Sequence, residues 1–160
     1  MSGLIETFKE ATALQCSFLE KLLDMDMAQV ASFSGSLVEF LSPSSENKFV
    51  YGIAAGRSAL ALYSFLQLIQ NHFDNIFPFT LEDPVQRHYR KGKNLGIAIS
   101  GSGETQAVNK YIDDIITLGG EIKLITANEK GTAYKMVKDY DKGSVLVIQA
   151  RTKHSTDKDT

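Results

Sequence analysis

The residues best suited to chemistry form one short stretch, Ser100-Gly101-Ser102-Gly103-Glu104-Thr105. It follows an apolar run and precedes a segment with helical spacing. Glycines at 101 and 103 allow a tight turn and bring backbone N–H groups close to a ligand. Hydroxyls at Ser100, Ser102 and Thr105 add donors, and the following helix presents its positive N-terminal end. Such a set can surround the terminal oxygens of a phosphate without a full positive charge. The same stretch also reads as a turn in which Ser102 or Thr105 caps the helix, worth about 1 kcal/mol. It lacks the Gly-Lys-Ser/Thr ending of a P-loop and does not fit G-x-G-x-x-G, so ATP and NAD are poor candidates.

A second stretch, Ala54-Ala55-Gly56-Arg57-Ser58, closes another apolar run in the same way. Other reactive types are scattered. His72 ends an amphipathic segment, and His88 lies in the basic cluster Arg87 to Lys93. His154 sits in a polar tail, and Cys16 reads as a small buried hydrophobe. No His/Cys/Asp cluster has metal-ligand spacing, so no metal is expected.

The elements that must position these loops follow from periodicity. Apolar residues recur at helical spacing from Leu4 to Leu41, with a break near Asp24–Met27 and a second helix beginning near Met27. So long a stripe suits either core packing or a contact with another subunit. Ser42 to Asn47 is a loop by composition. Short apolar runs at Lys48–Ala54, Ile76–Phe79, Asn94–Ser100, Glu121–Thr126 and Ser144–Gln149 read as strands. Pro78 favours an edge position for the second. Helices are expected over Arg57–His72, about Glu104–Leu118 and Gly131–Tyr140. The first carries Leu60, Tyr63 or Ser64, Leu66 or Gln67, and Ile69 on successive turns. The second should face inward through Val108, Tyr111, Ile112 and Ile115, with Gly119-Gly120 ending it. Strands alternating with helices imply a three-layer α/β/α fold around a five-stranded parallel doubly wound sheet of flavodoxin-like order. Ligands of such sheets bind outside the carboxyl ends of the strands, where strand order reverses.

Composition narrows the function. The 160 residues carry 17 Lys+Arg against 19 Asp+Glu, a formal net charge of -2, which argues against a basic nucleic-acid binder or a polybasic membrane module. No apolar run approaches the roughly 18 to 20 residues that span a bilayer, and the acid-bearing N-terminus is unlike a secretory signal. One cysteine allows no internal disulfide and fits a reducing cytoplasm. The expectation is one cytoplasmic domain over 1–160, with a helical segment at 1–41, an α/β core at 48–150 and a polar tail at 151–160.

The motifs Ala54-Ala55-Gly56-Arg57-Ser58, Ala98 to Thr105, Ile125-Thr126-Ala127-Asn128 and Ala150-Arg151-Thr152-Lys153 stand in an order that resembles the sugar isomerase, or SIS, family. Within it the chain looks most like the 6-phospho-3-hexuloisomerases, and Arg151-Thr152-Lys153 tilts the choice that way. The resemblance implies interconversion of 3-hexulose 6-phosphate and fructose 6-phosphate through an enediol, without cofactor, by a homodimer or homotetramer. A non-catalytic phosphosugar-binding module is the alternative. The phosphate would rest on Ser100, Gly101, Ser102, Gly103 and Thr105. Gly56, Arg57, Ser58 and Glu104 would border the substrate. Arg57 could instead fix its loop or a subunit contact, and Glu104 could hold an amide or be a solvated first-turn acid.

The resemblance stops short of the proton transfers. The family places a Glu and a His near a Pro-Leu-Gly-Thr-x-Phe-Glu stretch, which this sequence does not contain, so the catalytic acid and base are unassigned. Gly52 to Gly56 carries Ala where the family often has glycine, and the segment Asp74 to Lys93 is richer in charge than the usual connection.

Overall fold

The computed structural model describes residues 27–72, 76–80 and 91–148. Its elements are α1 (Met27–Leu41), β1 (Lys48–Ala54), α2 (Arg57–His72), β2 (Ile76–Thr80), β3 (Lys93–Ser100), α3 (Gln106–Thr117), β4 (Glu121–Thr126), α4 (Thr132–Lys138) and β5 (Gly143–Val147). The strands form one sheet in the order β2-β1-β3-β4-β5, with every neighbouring pair parallel. This is the expected doubly wound order. Pro78 lies on the edge strand β2, where a missing N–H costs no ladder on the outer side.

Burial follows position in the sheet. Central β1 is buried along nearly its whole length, as its continuous apolar run KFVYGIA requires once helices cover both faces. Edge strand β5 is mostly half-buried. On one face, α3 and α4 pack through Val108, Tyr111, Ile112, Ile115, Ala133 and Val137 onto Tyr51, Ile53, Ala98, Ile122 and Leu124. The α3 residues recur at i, i+3, i+4 and i+7, and each large one stabilises the fold by about 1.5–3 kcal/mol on burial. Helix α3 ends where Gly119 takes φ 71°, with Gly119 N–H on Ile116 O at 2.9 Å and Gly120 N–H on Ile115 O at 3.0 Å.

On the other face, Phe40 and Leu41 of α1 and Leu62, Leu66 and Ile69 of α2 cover Val50, Leu95 and Ile97. The inward stripe of α2 therefore differs from the spacing read in the sequence. Ala59, Leu62, Leu66 and Ile69 are buried, whereas Leu60 is 74% and Tyr63 51% exposed. A helix with apolar residues on more than one stripe has no unique inward face until its partner strand is known. Helix α1 is described from Met27; the stripe before it and the expected break near Asp24–Met27 lie outside the described residues, as do Cys16, His88, His154 and the Arg151-Thr152-Lys153 motif.

The amino ends of the strands form a charged region. Lys123 alternates with Ile122 and Leu124 and so falls on the α1 face, 4% exposed, with its ammonium 3.8 Å from Glu121. Burial pushes this lysine below its ordinary pKa, against the opposing pull of Glu121 and Glu39. Lys48, also buried, donates to Ser42 O. A cavity of about 210 Å³ opens here between Ser36, Glu39, Phe40, Lys48, Lys93 and Glu121. It contains none of the residues that the sequence nominates for the site. No helix among the described residues is long and apolar enough to cross a membrane.

Candidate functional site

The switch point lies between β1 and β3. These strands run side by side, with Ala54 opposite Ile99, yet β1 feeds a helix on one face and β3 a helix on the other. Their following loops, 55–58 and 101–105, therefore diverge and leave a crevice at the carboxyl edge of the sheet. The sequence-nominated residues Gly56, Arg57, Ser58, Ser100, Gly101, Ser102, Gly103, Glu104 and Thr105 all belong to these two loops or their strand and helix ends.

The loop after β3 is built by short-range bonds. Ser100, 4% exposed, accepts from Gly103 N–H at 3.1 Å, so any donation to a ligand uses the one proton its hydroxyl retains. Exposed Ser102 accepts from Glu104 N–H through its hydroxyl at 3.2 Å. Gly103 turns the chain at φ 70°, a conformation that costs a side-chain-bearing residue about 1–2 kcal/mol.

A second layer of bonds ties this loop to the segment between β4 and α4. Gly101 O accepts from Ala127 N–H at 3.2 Å, Ser102 O from Asn128 Nδ2 at 2.8 Å, and Gly103 O from Ala133 N–H at 2.9 Å. The carbonyls of Gly101, Ser102 and Gly103 thus face residues 127–133. Peptide planarity then turns the N–H of Ser102 away from that segment, opposite the Gly101 carbonyl. These three carbonyls are held back; the N–H groups of Gly103 and Glu104 are taken up by the Ser100 and Ser102 hydroxyls, and the Ser102 N–H is the loop amide turned to the front. Beyond the loop, Thr105 occupies the N-cap of α3 and makes no side-chain cap bond. The cap reading of Thr105 is therefore not what the structure shows, and the first turn of α3 keeps uncapped amides. Gly101 has open space where a Cβ would stand.

Glu104 turns its carboxylate to the start of α4. Its two carboxylate oxygens accept from Thr132 N–H at 3.0 Å and Thr132 Oγ1 at 2.8 Å. It holds an amide, one of the two readings the sequence allows, and it caps α4, whose own N-cap is Gly131. Sequence reasoning missed this use of Thr132. The available signal was Gly131 itself, a helix start with no side chain to satisfy its amides. Asn128 orders the same region, accepting from Lys130 N–H at 3.0 Å while donating to Ser102 O.

The loop after β1 makes fewer bonds among the described residues. Gly56 turns at φ 60°, and Ala59 N–H reaches back to Gly56 O at 3.2 Å. Arg57 opens α2 and is exposed; Ser58 follows it, half-buried. The arrangement as a whole presents hydroxyls, uncapped amides and one guanidinium. It can bind an anion. Among the described residues no cluster of His, Cys, Asp or Glu could hold a metal ion.

No family model matches this sequence, and a search of curated proteins finds no match. Solved structures do match. Tagatose-6-phosphate ketose/aldose isomerase from Escherichia coli aligns with a TM-score of 0.59 at 19% identity, over 77% of this chain and 36% of that one. A Methanococcus jannaschii protein, whose structure infers a molecular function of 3-hexulose-6-phosphate isomerase, aligns with a TM-score of 0.60 at 19% identity, over 87% of this chain and 71% of that one. The Vibrio vulnificus NanR protein complexed with ManNAc-6P aligns with a TM-score of 0.61 at 18% identity, over 86% of this chain and 50% of that one. This chain thus spans about a third of the length of the first and half that of the third. It shares its fold with phosphosugar isomerase structures and with a protein that holds a phosphorylated sugar.

Proposed function

We propose that this chain is a member of the SIS family and binds a sugar phosphate in the crevice between β1 and β3, with the phosphate on loop 100–105. One observation carries the reading. The carbonyls of Gly101, Ser102 and Gly103 are all engaged by residues 127–133, which turns these acceptors back and leaves the Ser102 N–H and the uncapped first turn of α3 to meet a ligand. A phosphate monoester is acceptor-only and dianionic, and such a surface suits it. Arg57 and Ser58, on the loop after the neighbouring strand β1, would supply contacts to the sugar or a phosphate oxygen.

The reaction proposed is that of a 6-phospho-3-hexuloisomerase, interconverting 3-hexulose 6-phosphate and fructose 6-phosphate. The phosphate grip fixes the sugar, and the rate comes from stabilising the enediolate more than the substrate. A base must carry a proton between adjacent carbons. Glu104, the carboxylate of the phosphate loop, is turned to Thr132, so the acid and base would be other groups than this one. That same observation favours a second reading, a phosphosugar-binding module without turnover. Conversion of 3-hexulose 6-phosphate to fructose 6-phosphate by the purified chain is the deciding assay. Turnover supports the isomerase, and saturable binding with no product supports the module.

A further inference from the structure

Glu104 occupies the proposed phosphate loop, yet its carboxylate faces away from the ligand side, toward a helix start 28 residues later in the chain. Gly131 cannot cap α4, and a carboxylate at that position satisfies the Thr132 amide and complements the helix dipole. The acid is therefore held by two charge-assisted bonds, which are stronger than neutral ones. Its own backbone N–H is bonded to Ser102 Oγ. Its backbone thus braces the donor loop internally, while its side chain joins that loop to the start of α4.

We infer that Glu104 is a positioning residue for the anion cradle, acting through Thr132 and without touching the ligand. It works beside the three carbonyl bonds to Ala127, Asn128 and Ala133, which fix the loop peptides with their acceptors turned back. Loss of the carboxylate frees the loop to rotate those carbonyls toward the crevice, where they repel an anion. Close contact between the two segments makes the coupling direct: a Cβ on Gly131 would lie 2.8 Å from Ser102 O and 3.1 Å from Gly103 Cα. The inference rests on the phosphate-loop reading for its ligand and on the loop geometry alone for its mechanics.

The test separates these two. Amide hydrogen exchange across residues 101–106, without ligand, reads the mechanics. Glu104→Ala should speed exchange about ten-fold, the scale of one lost charge-assisted bond, and Glu104→Gln, which can make both bonds to Thr132, should stay within about three-fold of wild type. Affinity for fructose 6-phosphate should follow the same order, with Glu104→Gln rescuing it. Thr132→Ala, a milder change, should fall between, and adding it to Glu104→Ala should cost little more. Unchanged exchange in Glu104→Ala overturns the inference, whatever the ligand does. Glu104→Gln losing affinity as fully as Glu104→Ala also overturns it, because that pattern belongs to a carboxylate in contact with the sugar. Wild-type protein that binds no sugar phosphate defeats the functional reading but leaves the exchange result to decide the positioning role.

Discussion

The two loops at the switch point start from similar chemistry and end in different physical states. Each follows a central strand, turns at a glycine with positive φ and starts a helix. The loop after β3 is bonded to residues 127–133 through three carbonyls and one carboxylate. Among the described residues, the loop after β1 has one backbone bond of its own, from Ala59 to Gly56, and open space where a Gly56 Cβ would stand. The difference teaches that a glycine-hydroxyl motif identifies a loop able to bind an anion, whereas a remote segment determines whether that loop is preorganised. Preorganisation matters because a rigid cradle avoids the cost of ordering the loop on binding.

Substitutions can break or sharpen this contrast. The largest effect belongs to the seam itself. Gly131→Ala forces a Cβ to within 2.8 Å of Ser102 O, and overpacking of this kind should destabilise by about 2–3 kcal/mol. Gly103→Ala combines φ 70° with a 3.3 Å contact to Gly131 Cα and should cost about 2 kcal/mol. Gly56→Ala meets only the conformational strain of φ 60°, so about 1 kcal/mol is expected. Urea unfolding of the three variants measures the series; equal losses at 56 and 131 would erase the contrast between the loops.

Gly101→Ala goes further, because its Cβ meets nothing within 4 Å. Its stability should change by less than about 0.5 kcal/mol, while affinity for fructose 6-phosphate falls as the methyl group fills the ligand's approach. Retained affinity, read by calorimetry, would move the ligand away from this backbone. A control at the opposite end of the sheet completes the set. Folding lowers the pKa of Lys123 from its ordinary value of 10.5, so between the two values the unfolded chain binds more protons. Stability should rise as pH climbs through that window, and Lys123→Met should flatten the rise. Ligand affinity should be unmoved.

Much of this architecture was legible in the sequence. Lys48–Ala54, Arg57–His72 and Glu121–Thr126 have the bounds that their apolar periodicity suggests, and Pro78 identified the edge strand. Alternating strands and helices were enough for the doubly wound order. The inward stripe of α2 was not legible, because Leu60 and Tyr63 are as apolar as Leu62 and Leu66 and only the partner strand distinguishes them. Both crevice loops were legible from their glycines and hydroxyls. The bonds between 101–105 and 127–133 were not, since they join backbone groups and a carboxylate far apart in the chain, where no local period reports them. The pairing of Glu104 with Thr132 is of that kind.

The most direct test of the phosphate cradle compares fructose 6-phosphate with fructose by thermal unfolding of wild type and Ser102→Ala. The phosphorylated sugar should raise the wild-type Tm by linkage, and fructose should not. Ser102→Ala should keep the fold and weaken phosphosugar binding by about 1–2 kcal/mol, as for a hydrogen bond to a charged group. Equal shifts with both sugars, or a Ser102→Ala protein that binds as tightly as wild type, would contradict the account.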